Sequence, residues 1–315
     1  MVMSATRSNK CLGPLVCSPV FSSTTMISTS QSTYHFDSPD ADVILKSSDA
    51  ESPTEFRVHR CILALASPFF RDMFSLPQDP WKSPEKAPVI SVSERQDVLR
   101  VLLQFVYPIP DPPVVSLHDL DELLGAAIKY EFEAVVASLR AFLISPQLLH
   151  TSPVKVYAIA CQYELEDEAK VASRYTLGRD LLTLEGDELQ ELKKISAFDY
   201  YRLLKLHKER AEVAVALIKR ADAACGEGVG GVVMCMQCNG PVFLSAGPPK
   251  WWIAWEEMAR EELSLRPTTD VVFTLEFLYG AARKSGCPRC VGSIVESWKL
   301  LKQLRNAIDT VPSTI

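Results

Sequence analysis

The sequence predicts a mixed α+β block at the start of its ordered part, followed by a region that is almost wholly helical. Three observations carry this. Short β-type runs occur only up to Val92. Beyond them, apolar residues recur at spacings of three and four, the period of a helix with one buried face. Stretches rich in Pro or Gly near residues 77–88, 108–113 and 226–231 mark where the chain changes element.

The first 33 residues are rich in Ser and Thr, hold few large apolar groups and contain no Asp or Glu. Such a segment cannot bury enough surface to offset its ordering entropy, so a disordered tail is expected over 1–33. Arg7 and Lys10 without acids hint at an organellar transit peptide, but the amphipathic Arg repeat of one is missing. Order is expected from Tyr34. Val43-Ile44-Leu45 and Phe56-Arg57-Val58-His59 read as strands separated by a polar turn over Ser47 to Thr54. Cys61 to Ala66 reads as a helix that Ser67-Pro68 ends. The same Ser67 suits the N-cap of a second helix bearing Phe69, Phe70, Met73 and Phe74, because Pro is favoured at a first helical position. Leu76 to Pro88 contains four prolines and is a loop, and Val89 to Val92 is a third strand. Val98, Val101, Leu102, Phe105 and Val106 mark a helix that the prolines from Pro108 to Pro113 end. Leu120 to Leu143 is helical with a break at Tyr130 to Phe132. Pro153 to about Ala224 is helical with breaks at Gly178 and near Gly186, and Gly226 to Gly231 is a linker.

Composition narrows the class of function. Of 315 residues, 47% are hydrophobic and 23% charged, which is globular and large enough for a core without disulfides. Lys and Arg total 33 against 39 Asp and Glu, a net charge of −6, which argues against a globally basic nucleic-acid binder. No apolar run approaches the roughly 20 residues of a membrane helix, and Met1 to Thr33 has no secretory h-region. An intracellular protein, cytoplasmic or nuclear, with no membrane contact is expected. Nine cysteines in a reducing compartment are read as metal ligands before disulfides.

Cys235-Met-Gln-Cys238 and Cys287-Pro-Arg-Cys290 form two C-x-x-C pairs. Two residues between thiolates let both sulfurs of a knuckle point at one ion, and two knuckles complete a tetrahedral zinc site. The 48 residues between the pairs exceed the usual ribbon spacing, so helices bearing Trp251, Trp252, Trp255, Phe273 and Phe277 must fill the interval. Asn239-Gly240 suits a turn, and Pro288 suits entry into a helix over Val291 to Ile308. Three readings stay open, in this order: a structural Zn²⁺ on Cys235, Cys238, Cys287 and Cys290; a redox dithiol at Cys287 and Cys290; and core cysteines without a ligand. Cys61 and Cys161 read as core residues, Cys11 and Cys17 lie in the tail, and Cys225 lacks a partner. From Gly226 to Ile315 nine basic residues balance nine acidic ones, so nucleic acid is disfavoured as a partner, and the tryptophans read as core rather than as base-stacking rings.

Several spaced motifs in the first block resemble the BTB/POZ domain family. They are Asp40-Ala-Asp42-Val-Ile-Leu45, Phe56-Arg-Val-His59-Arg60, Leu63-Ala-Leu-Ala-Ser67-Pro-Phe-Phe-Arg-Asp-Met-Phe74, Phe105-Val-Tyr107 and Ala126-Ala-Ile-Lys-Tyr130-Glu131. The resemblance implies a small sheet flanked by helices over 34–150, used for protein–protein contact. The family-typical Asp and His fall on Asp42 and His59, expected to be structural, with the His bonded to the Asp, since no nucleophile or oxyanion donor accompanies them. Val156 to Ala160 and Leu165 to Ala169 resemble the BACK-type extension, expected over 151–225. A helical module with the four-cysteine site completes the chain over 226–315. The implied function is a non-enzymatic adaptor that self-associates as a homodimer or docks protein partners. The alternative is a substrate adaptor on a cullin ubiquitin-ligase scaffold, although Leu76 to Lys82 departs from the hydrophobic-x-Glu element used for that contact. An enzyme at the C-terminal end, thiol-redox or zinc-dependent, ranks below both, because four cysteines leave no open zinc position.

Overall fold

A computed structural model of the protein describes residues 34–76, 87–110, 112, 116–223, 232–239 and 247–315. The expected tail over 1–33, most of the Leu76 to Pro88 loop, the glycine linker and Cys11, Cys17 and Cys225 lie outside the described residues.

Three strands form one sheet: β1 (Val43–Lys46), β2 (Glu55–Val58) and β3 (Val89–Ser91), in the order β2-β1-β3. β1 pairs antiparallel with β2, Val43 facing Val58 and Leu45 facing Phe56, and parallel with β3, Leu45 facing Ile90. Alternation sends Val43, Leu45, Phe56 and Val58 to one buried face. Between the second and third strands lie α1 (Arg60–Ala66) and α2 (Pro68–Ser75). Ser67 caps α2 as expected, its Oγ accepting from Phe70 N at 3.0 Å, and donates to Tyr130 O at 2.6 Å. One hydroxyl thereby fixes the start of α2 and ties it to a distant turn.

The remaining helices of this part are α3 (Gln96–Val106), α4 (Leu117–Lys129), α5 (Glu133–Leu143), α6 (Pro146–Thr151), α7 (Pro153–Gln162), α8 (Glu166–Thr176) and α9 (Gly186–Leu192). The expected break between α4 and α5 is present. Glu131 sits there in the left-handed region (φ 54°), and Phe132 N donates to Ala127 O at 2.9 Å, closing a Schellman-type cap. The same device divides α7 from α8, where continuous helix was expected: Glu164 has φ 55° and Leu165 N donates to Ala160 O at 2.8 Å. Its cause is hidden because a glutamate, rather than the usual glycine, takes the left-handed position.

α10 (Ala197–Ala223) is the long helix, and beyond it come α11 (Lys250–Leu265), α12 (Thr269–Val272), α13 (Leu275–Lys284), α14 (Cys290–Glu296) and α15 (Trp298–Asp309). The helix expected over Val291 to Ile308 is thus two helices, broken at Ser297. That residue is buried, and its Oγ donates to Ser293 O at 2.7 Å while accepting Val233 N–H at 2.9 Å. A serine whose hydroxyl competes for backbone groups is a natural place for a helix to stop.

Two hydrophobic cores result. The first runs from the sheet through Leu139, Leu149, Val154, Tyr157, Ala169 and Leu181 to Leu203, so it does not end near residue 150. The second gathers Ala214, Ile218, the three tryptophans of α11, Leu278, Ile294 and Leu301. Polar ties cross the first core. Arg140 of α5 holds Glu168 of α8 by two bonds of 2.7 and 3.0 Å, and Asp121 of α4 takes Lys194 at 2.8 Å and Gln162 at 3.2 Å.

His207 of α10 is buried, with Nε2 3.1 Å from Thr176 Oγ1 of α8. Burial pushes its pKa down to about 4. The unfolded chain therefore binds a proton that the folded chain refuses, and stability falls as pH drops from about 6.5 towards 4. Between about pH 7 and about pH 5 this group should cost about 2 kcal/mol. Denaturant titrations at both pH values check it: the His207→Gln variant should lose that part of the acid sensitivity, and an unchanged pH dependence would refute the assignment.

Candidate metal centre

The four cysteines of the two C-x-x-C pairs converge. Their Sγ atoms all lie within 4.8 Å of one another, with Cys235 and Cys287 at 3.7 Å and Cys238 and Cys290 at 3.4 Å. A tetrahedral ion with bonds of about 2.3 Å to sulfur requires edges of about 3.8 Å, so the geometry fits a four-thiolate metal site. Cys235, Cys287 and Cys290 are buried and Cys238 is half-buried.

Each knuckle is built by local rules. In the first, Asn239 N donates to Cys235 O at 2.9 Å while its Oδ1 accepts Cys235 N–H at 3.0 Å, so one buried side chain closes the turn. In the second, Gly286 takes φ +68°, Ser285 Oγ accepts Cys287 N–H at 3.2 Å, and Cys290 opens α14.

The two knuckles are joined by residues that the sequence did not single out. Ser293 and Ser297, one helical turn apart, grip the extended segment before Cys235: Ser297 Oγ accepts Val233 N–H, and Ser293 Oγ donates to Val233 O. Ser293 Oγ in turn accepts from Trp251 Nε1 at 2.8 Å, and Trp255 Nε1 donates to Val272 O at 2.8 Å. Trp251, Trp252 and Trp255 are each 0% exposed, leaving no ring face for a nucleobase. Trp252 Nε1, by contrast, has no acceptor among the described residues. The signal for the serines was weak, since polar residues on a helix ordinarily face solvent.

Protons are unevenly held in the cluster. Burial opposes ionisation of Cys287, yet hydrogen bonds from the Cys238 thiol, the Arg289 N–H and the other two thiols hold its pKa down to about 7. Burial and the sharing of protons with neighbouring sulfurs push Cys238 up, and burial pushes Cys290 up. The thiols thus share protons unevenly across the cluster, and capture of a cation would displace those protons.

The other residues singled out behave differently. Asp42 Oδ1 accepts Arg60 N–H at 2.7 Å, fixing the first turn of α1 to the sheet. His59 is not bonded to Asp42 as expected; its backbone N–H and Nδ1 lie 2.9 and 3.1 Å from Tyr107 Oη, and Nε2 lies 3.4 Å from Asp40. The Asp reaches the helix backbone first, and Tyr107, packed at the end of α3, meets the ring. Cys61 is exposed rather than core, because α1 turns that face outward, while Cys161 is half-buried and burial pushes its thiol up to about 11. Among the described residues no helix is long and apolar enough to cross a membrane.

Metal capture by these sulfurs displaces thiol protons, so affinity should fall as pH is lowered. Competition with a chromophoric chelator at about pH 8 and about pH 6 measures this; a pH-independent affinity would exclude thiolate ligation.

Comparison with known proteins agrees with the N-terminal architecture. Residues 35–147 match the BTB/POZ domain. The chain is 32% identical over 171 residues to Kelch-like protein 21 of Bos taurus, covering 54% of this chain and 28% of that protein. It is 33% identical over 75 residues to BTB and MATH domain-containing protein 42 of Caenorhabditis elegans, covering 24% of this chain and 18% of that one. The chain spans less than a third of the length of either relative. Residues 35–147 are a BTB/POZ domain, a module for protein–protein interaction.

Proposed function

We propose that this chain is a non-catalytic adaptor whose BTB/POZ domain self-associates or docks a partner protein. On this reading, residues 151–225 form a BACK-like helical spacer and a structural zinc ion cross-links the module over 226–315. The observation that carries it is the domain match over 35–147, whose sheet buries one face, through Val43, Leu45, Phe56 and Val58, in the first core. Leu65, 91% exposed on α1, and Val89, 53% exposed on β3, offer apolar surface to a partner. The alignment of 171 residues is longer than the matched domain, which supports a likeness reaching past it. Light scattering on the full chain tests the reading: twice the monomer mass supports a homodimer. A monomer that captures a cullin scaffold in a pull-down would favour the ligase-adaptor alternative, and a chain doing neither would remove this role from the domain.

Asp42 and His59 serve this domain as architecture. His59→Ala removes the ring contact with Tyr107 but keeps the backbone bond, so a loss of about 1 kcal/mol is expected in chemical denaturation. No change in stability would count against the scaffold role.

For the zinc, four thiolates close the coordination shell and leave no position for substrate, so its contribution is to folding. Apparent binding energies of about 10–16 kcal/mol are enough to decide whether a module of this size is ordered. Cys238→Ser or Cys290→Ser should release the ion and open 232–315 to protease while an N-terminal fragment resists. Elemental analysis with limited proteolysis reads both outcomes. A variant that loses zinc yet keeps its protease resistance would favour the redox dithiol instead.

A further inference from the structure

A cleft of about 720 Å³ lies where the helices of the first core meet the C-terminal helices, lined from Leu149 onwards, outside the matched residues 35–147, and by none of the four cysteines. Four arginines line it: Arg174 at the end of α8, Arg179 just beyond, Arg210 of α10 and Arg305 of α15. Only Asp270 and Asp309 oppose them, so the cleft carries a formal excess of two positive charges on a chain whose net charge is −6. Such a concentration of charge against the overall sign is costly unless something answers it.

The internal partners do not use up these groups. The side chain of Arg174 makes no hydrogen bond or ion pair among the described residues and is exposed. Arg305 reaches its two aspartates only at 4.0 and 3.8 Å, beyond hydrogen-bond distance. Arg179 donates one bond, to Thr151 O at 2.9 Å. Arg210, 5% exposed, spends Nε on Pro267 O and Nη1 on the carbonyls of Val311 and Pro312, which leaves Nη2 without an acceptor among the described residues. Neutral carbonyls satisfy its geometry without cancelling its charge.

Guanidinium forks match the paired oxygens of phosphate groups, and a cleft of this volume is the size that small ligands occupy. Arg174 and Arg179 flank the end of α8, Arg210 comes from α10 and Arg305 from α15, so three parts of the fold surround one volume. An extended acidic peptide would call for charges strung along a groove, whereas a compact ligand with several phosphates meets all of them together. We infer that this cleft is a binding site for a small polyphosphorylated ligand, which would bridge the helices of the first core to the C-terminal helices. This site is independent of the adaptor reading and of the zinc.

Calorimetric titration of the full chain with inorganic tripolyphosphate tests it. Saturable binding at one site per chain is expected. Arg174→Ala should weaken it roughly tenfold, the loss of one charge-assisted contact, without shifting the melting temperature, because that side chain holds nothing in the fold. Arg305→Ala should weaken it comparably. Arg71→Ala, an exposed arginine on α2, should leave it unchanged. Absence of saturable binding overturns the proposal. So does equal weakening by Arg71→Ala, which would mean diffuse attraction. Tighter binding of an oligoglutamate peptide than of tripolyphosphate would replace the phosphate class with an acidic segment.

Discussion

Helix α10 has to satisfy two hydrophobic cores along one axis, and that requirement shapes what packs around it. Its 27 residues reach roughly 40 Å at about 1.5 Å per residue. Leu203 enters the first core, while Ala214 and Ile218 enter the second. Between them lie His207 and Arg210, polar groups that a helix crossing from one core to another must bury at the join. The histidine is bonded to Thr176 and kept neutral; the arginine draws in carbonyls from Pro267 and from Val311 and Pro312. The C-terminal segment takes its place because of that guanidinium, and Ile315 N then bonds to Ser173 Oγ back on α8 at 3.2 Å.

The cluster of four cysteines rests on a similar division of labour. The cysteines supply the donors, but their meeting depends on Ser293 and Ser297, which hold the first knuckle against α14, and on the tryptophans that seat α11 beneath it. Breaking the helix at Ser297 belongs to the same arrangement, since the hydroxyl that takes Val233 N–H also takes part in ending α14.

Local patterns were legible in the sequence and tertiary choices were not. Strands, the Ser67 cap, the break at Tyr130 to Phe132 and the paired knuckles all follow from residues within a few positions of one another. The break at Glu164 was missed although Tyr163-Glu164-Leu165-Glu166 echoes Tyr130-Glu131-Phe132-Glu133, because a left-handed glutamate leaves no glycine to read. Arg210 looked like one more surface charge in a helix full of Lys, Arg and Glu; only the fold shows it buried. His59 and Asp42 were found, but their partners were not, since Tyr107 lies 48 positions away from the histidine. The continuity of the first core past residue 150 is likewise a matter of which apolar faces meet, and periodicity reveals a face without naming its neighbour.

The separation of the two knuckles has a thermodynamic consequence. Joining them across 48 flexible residues would cost about 3 kcal/mol of loop entropy. Here α11, α12 and α13 occupy that interval and α11 buries its three tryptophans, so packing offsets part of the cost of closure. A cation bound to the four sulfurs and that packing would support each other, the affinity for the ion being lowered by the fraction of molecules in which the packing comes apart without it. The strength with which the four sulfurs would hold a metal is therefore a gauge of the tryptophan core, and by reciprocity any change that loosens the core, however remote from sulfur, would weaken the hold on the ion.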